Sequence, residues 1–84
     1  MRVGVQFRGT VQANRSVRWF TFRWPQEWHV TWHVVPSSPN AGAPQVEWDV
    51  EAARGDSRYL TYWITVKNLT NQNVNVEGRY AVLN

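Results

Sequence analysis

The chain has 84 residues, a formal net charge of +3 and no cysteine, so it fits a single domain that no disulfide can stabilise. The charge favours acidic partners only weakly, because the chain lacks the clustered Lys and Arg of a dedicated nucleic-acid binder. Aromatic residues make up 14% of the chain and include six tryptophans. We therefore expect some rings to be exposed, or covered by a ligand or another subunit.

Alternation of apolar and polar residues predicts strands throughout, with no convincing helical period. The first predicted strand, at about 3–12, places four apolar side chains on one face: Val3, Val5, Phe7 and Val11. Asn14-Arg15-Ser16 then predicts a turn. The second strand, at about 17–24, is apolar on both faces and ends before Pro25, which cannot donate to a sheet. The third strand, at about 28–35, directs four side chains toward the core: Trp28, Val30, Trp32 and Val34.

Residues 36–44 contain three of the four prolines and are too long for a hairpin, so we expect this loop to cross between two sheets. The fourth strand, at about 45–52, alternates most cleanly, and a loop around residues 55–57 joins it to the fifth strand, at about 58–68. Thr70-Asn71-Gln72-Asn73 predicts a hairpin turn to the sixth strand, at about 74–83.

This pattern predicts one all-β domain over residues 1–84, an antiparallel β-sandwich of about six strands, with a small β-barrel as the alternative. Two segments, Asn14-Arg15-Ser16 and Asn68-Leu69-Thr70, match the N-glycosylation pattern. We interpret both as turn sequences, since such short patterns often arise by chance.

The sequence predicts no enzyme, cofactor or metal site. His29 and His33 would lie roughly 13 Å apart on a strand, which is too far for one metal ion. Successive members of the series Glu47, Asp49 and Glu51 would lie about 6.6 Å apart on one strand face, a spacing that overlaps the carboxyl separation of inverting glycosidases. An open sheet face supplies neither a cleft nor a raised pKa. We interpret the three carboxylates as a solvated stripe, or as cross-strand partners of Arg8 and Arg79.

The segment from Arg18 to Trp24 interleaves basic and aromatic residues. We select Trp19, Trp63, Arg18 and Arg23 as candidates for ligand stacking or for a subunit interface, since both tryptophans interrupt more polar faces. Such a surface can stack a sugar ring or a nucleic-acid base. The third interpretation, which we favour over the two ligand interpretations, is that this strand is central and buried or lies at a subunit interface.

Arg54-Gly55-Asp56-Ser57 falls at the predicted hairpin tip between the fourth and fifth strands. It resembles the cell-attachment motif of fibronectin-like adhesion proteins, although the resemblance covers only these four residues. The resemblance implies an exposed loop that binds an integrin-type receptor. In that class the arginine contacts acidic groups, and the aspartate completes the coordination of a divalent cation held by the receptor.

We therefore expect a non-catalytic binding or adhesion module, lectin-like in character, that could display this loop. The alternative is a self-assembling homo-oligomeric domain, and a single-stranded nucleic-acid binder ranks third. No apolar run approaches the roughly 20 residues that a membrane helix needs, and no signal peptide is evident. These features predict a soluble domain, cytosolic or recombinant, that has no membrane partner.

Overall fold

A computed structural model describes residues 1–39 and 42–84, which form two antiparallel sheets packed as a β-sandwich. Within these residues there are seven strands: β1 (Arg2–Val11), β2 (Ser16–Phe20), β3 (Trp24–Pro25), β4 (Val30–Pro36), β5 (Val46–Arg54), β6 (Tyr59–Asn68) and β7 (Val74–Val82). The predicted sandwich is confirmed. Asn40 and Ala41, in the predicted crossing loop, lie outside the described residues.

The three-stranded sheet has the order β1-β7-β4. In the four-stranded sheet, β5 pairs with β6 along its whole length, while β2 and β3 lie end to end against the other edge of β6. The segment after β4 passes from the three-stranded to the four-stranded sheet, which confirms the predicted crossing. In the described part of the chain, no helical segment has the length and apolarity needed to cross a bilayer.

The second predicted strand is interrupted and forms both β2 and β3. At the break, the Thr21 hydroxyl accepts the backbone N–H of Tyr62 (3.0 Å), and the Thr21 N–H donates to the Tyr62 carbonyl (2.9 Å). Arg23 has a φ of 56°, in the left-handed region. This turn reverses the alternation, so that Trp24 packs against the core while Phe20 and Phe22 stay exposed.

The predicted inner face of β1 is wrong for its first half. The pairing with β7 shifts between Val5 and Phe7, because a β-bulge inserts one extra residue there. Val3 and Val5 consequently point to the outer face, where Val3 is 71% exposed, whereas Phe7 and Val11 are buried as predicted.

The two sheets are joined by an aromatic core. Phe7 from the three-stranded sheet stacks on Trp19 from the four-stranded sheet, with ring centroids 4.3 Å apart and planes inclined by 11°. Glycines leave room for both rings: a Cβ at Gly78 would overlap Phe7, and a Cβ at Gly9 would lie 2.7 Å from Trp19. Further along the sandwich, Trp24 contacts four other rings, those of Trp28, Trp32, Tyr62 and Tyr80.

The predicted hairpin at residues 70–73 is also wrong, because β6 and β7 belong to different sheets and this turn crosses between them. Asn68 anchors the crossing. It is 1% exposed, and its side-chain amide donates to the carbonyls of Val11 (3.0 Å) and Gln72 (2.6 Å) while its oxygen accepts from Thr70. This network explains the Asn68-Leu69-Thr70 sequence as turn chemistry.

Candidate functional site

The outer side of the four-stranded sheet carries a group of aromatic side chains that we call the aromatic face: Phe20, Phe22, Tyr59 and Trp63. The register places Phe20 of β2 beside Trp63 of β6. Phe20 is 64% and Phe22 is 72% exposed. Exposed apolar rings grouped on one face are typical of interaction surfaces.

Three arginines lie over the rings of the aromatic face. The guanidinium carbon of Arg18 is 5.2 Å from the centroid of Trp63. Arg23 lies 5.6 Å from Phe22 and 5.8 Å from Tyr59, and Arg58 lies 5.5 Å from Tyr59. These separations permit cation–π attraction, which holds the long arginine side chains against the sheet.

The two edges of this outer surface carry opposite charges. Arg18 lies on the β2 edge, whereas Glu47, Asp49 and Glu51 lie on the outer side of β5. Arg18 reaches across β6 and its Nη2 makes an ion pair of 3.2 Å with Glu51. Among the described residues, Glu47 and Asp49 make no ion pair. Lys67 of β6 lies beside Glu47 in the register and Arg18 pairs with Glu51, so the three carboxylates leave one net negative charge on the β5 side.

Three of the four residues selected for stacking lie together on this outer surface: Arg18, Arg23 and Trp63. Trp19 does not, because it points inward and stacks on Phe7 in the core. The ring of Trp63 is partly buried and has Arg18 above it. Sequence reasoning missed the exposed Phe20, since a strand that is apolar on both sides does not indicate which side faces solvent.

The Arg54-Gly55-Asp56-Ser57 loop joins β5 to β6 as an exposed hairpin, as predicted. Its charged side chains bind the loop's own backbone. Asp56 Oδ1 accepts the N–H groups of Arg58 (2.7 Å) and Tyr59 (3.0 Å), and Arg54 donates to the carbonyls of Asp56 (3.3 Å) and Ser57 (3.0 Å). The N–H of Arg58, above all, lowers the pKa of the Asp56 carboxyl. The aspartate thus has a structural role as the cap of the hairpin.

The predicted partners of Arg8 and Arg79 are wrong, because both arginines lie on the other sheet. There Glu77 Oε1 accepts from Arg8 Nε at 2.9 Å, and Glu77 Oε2 accepts from Arg79 Nε at 2.6 Å. The hydrogen bond from Arg79, followed by that from Arg8, lowers the pKa of Glu77.

His29 precedes β4 and His33 lies within it. In residues 1–39 and 42–84, no group of three His, Asp or Glu side chains could hold a metal ion.

Comparison of the chain with protein-family models, curated proteins and solved structures finds no match.

Proposed function

We propose that this chain is a non-catalytic self-assembly domain, and that two copies pair through the aromatic face. The observation that carries the proposal is the exposure of Phe20 and Phe22 beside two edges of opposite charge. Burying an exposed phenylalanine side chain fully contributes about 1.5–3 kcal/mol. A small core gains stability from such association, since a partner that binds only the folded state shifts the folding equilibrium.

The charge pattern selects one symmetry for the pair. A two-fold axis parallel to β6, lying between two facing sheets, places the β2 edge of each copy over the β5 edge of the other. Arg18 then faces Asp49 of the second copy, because these residues share one register row with Thr65 of β6. A two-fold axis perpendicular to the strands would bring like charges together. The first arrangement is complementary in charge, and it also places Phe20 of each copy over Glu51 of the other, because both residues lie in the register row of Trp63.

Self-association accounts for the geometry better than ligand stacking on tryptophan. A flat platform for a sugar or a base needs free ring faces, yet Trp19 is stacked in the core and Arg18 lies over Trp63. Integrin-type adhesion would need Arg54 and Asp56 to exchange their loop hydrogen bonds for contacts with a receptor. Covering the exposed phenylalanines, in contrast, breaks no hydrogen bond of their side chains.

The first test is solution mass by light scattering over a range of concentrations. We expect a species of twice the 9.8 kDa chain mass, and Phe20→Ser should return it to monomer without loss of folding. Val3→Ser is the matched control, because Val3 is at least as exposed as Phe20 but lies on the opposite sheet. A chain that stays monomeric would contradict the proposal, and a panel of glycans would then be the next ligands to try.

A charge exchange tests the symmetry. Arg18→Glu alone and Asp49→Arg alone should each weaken pairing, since each homodimer would then contain two contacts between like charges. Mixing the two variants should restore it, because the new glutamate faces the new arginine and the native Arg18 faces the native Asp49. Arg18→Glu also breaks the exposed pair with Glu51, which contributes at most about 1 kcal/mol to folding. A mixture no stronger than the separate variants would refute this symmetry.

A further inference from the structure

A second surface lies on the outer side of the three-stranded sheet, away from the aromatic face. It is a groove of about 360 Å³ whose lining includes Val3, Val5, Thr31, His33, Arg79 and Ala81. This volume lies within the range of roughly 300–1,000 Å³ of small-molecule sites. We propose that the groove binds a small amphiphilic carboxylate, with the apolar part over Ala81 and the carboxylate at Arg79 and His33.

The β-bulge in β1 makes the groove apolar. Without the extra residue, Val3 and Val5 would lie on the same inner face as Phe7, and the residues between them would face outward. Instead, Val3 pairs with Ala81 of β7, which in turn pairs with Thr31 of β4. The small Ala81 side chain on the central strand leaves a depression between the taller side chains of the two edge strands.

The next row of the sheet supplies the polar groups. Val5 pairs with Arg79, and Arg79 pairs with His33, so these three residues share one row of the outer face. The His33 imidazole stands at the β4 edge of that row, where its centroid is 6.2 Å from that of Trp48. Arg79 uses Nε for Glu77, which leaves its two terminal nitrogens to donate to a ligand carboxylate. Glu77 is shared by Arg8 and Arg79, so this cluster keeps one net positive charge. Both the apolar floor and the excess positive charge suit an amphiphilic anion.

The probe is octanoate, titrated into the intact chain and followed by backbone amide chemical shifts. Saturable shifts should centre on Thr31, His33 and Ala81. Ala81→Leu should fill the groove and weaken octanoate binding at least tenfold, while the fold persists because the new side chain points to solvent. Arg79→Gln should weaken octanoate binding about tenfold, the effect of one charge-assisted hydrogen bond, and should leave octanol binding unchanged. Lys67→Gln, on the opposite sheet, is the matched control and should have no effect.

Several results would overturn this inference. These are the absence of saturable shifts with octanoate, shifts that survive Ala81→Leu, and octanol binding as tight as octanoate binding. Dissociation of a dimer by Ala81→Leu would show that a second copy occupies the groove. Because the groove and the aromatic face lie on different sheets, an unaltered chain that dimerises but shows no saturable octanoate shifts would refute this inference alone.

Discussion

Replacement of Asn68 by alanine should be among the most destabilising single changes in this chain. The side chain is almost fully buried at the crossing from β6 to β7. Its amide donates to Val11 and Gln72, and its oxygen accepts the Thr70 N–H and lies 2.8 Å from the Thr70 hydroxyl. The single side chain therefore joins β1, the end of β6 and the turn.

The magnitude follows from these contacts. The Val11 carbonyl belongs to a fully buried residue, and its loss of a partner costs about 2 kcal/mol. The other contacts are partly buried and contribute together about 1–2 kcal/mol. The free energy of unfolding should thus fall by about 3–4 kcal/mol, a large fraction of the roughly 5–15 kcal/mol that stabilises a typical domain.

Urea unfolding followed by tryptophan fluorescence measures this change. All variants are compared at one protein concentration, since self-association would add to the apparent stability. Asn71→Ala is the matched control in the same turn, where the side chain is exposed, and should change stability by less than about 0.5 kcal/mol. If Asn68→Ala does not fold, Thr70→Val should still lose about 1 kcal/mol. A loss below about 1 kcal/mol for Asn68→Ala would refute the anchoring role.

Three further changes test the fold and the loop. Gly78→Ala should lower the free energy of unfolding in urea by about 1–3 kcal/mol, because the new Cβ would overlap the Phe7 ring. Gly55→Ala, which has open space around it, should leave the free energy of unfolding nearly unchanged, and equal effects of the two variants would contradict this. Thr21→Val should leave a buried β6 N–H without its hydroxyl acceptor, and unchanged hydrogen exchange at that amide would contradict the expectation. The N–H of Arg58 lowers the pKa of the Asp56 carboxyl below its ordinary value of 3.8, so the capped loop should be fully formed above pH 3.8 and should be lost as the pH falls through the lower pKa of the folded state. An Asp56 carboxyl that titrates by NMR with a midpoint at or above pH 3.8 would contradict this.

Alternation in the sequence was enough to locate most of the strands and to predict the sandwich, because most strands bury one face, but it did not show that the second strand is interrupted. It could not locate the bulge at Val5 or the left-handed Arg23, since both add or rotate a residue without changing the residue types. Polar turn residues indicated that the chain reverses at 70–73. They did not indicate that it changes sheets there, because the same turn residues serve hairpins and crossings alike.

The candidate site was predicted in the same incomplete way. Arg18 and Arg23 were selected because basic and aromatic residues alternate, and Trp63 because it interrupts a more polar face; the three do lie on one face. Trp19 was selected with them, but a stack on Phe7 places it in the core. Which side of an apolar strand faces solvent depends on what the opposite sheet supplies, and that is a tertiary property which a local pattern does not encode.

The two outer faces differ in chemistry, and this difference makes the proposed functions separable. The aromatic face carries exposed aromatic rings between edges of opposite charge, a pattern that matches a second copy of the same face. The groove on the other sheet is apolar and carries one net positive charge. A pair formed through the aromatic face would leave both grooves directed outward. If the sites are independent, octanoate should not change the association constant, and by linkage dimerisation should not change octanoate affinity. A measured coupling would mean that the sandwich transmits strain between its sheets, and the Phe7–Trp19 stack and the contacts of Trp24 with Trp32 and Tyr80 are contacts that join them.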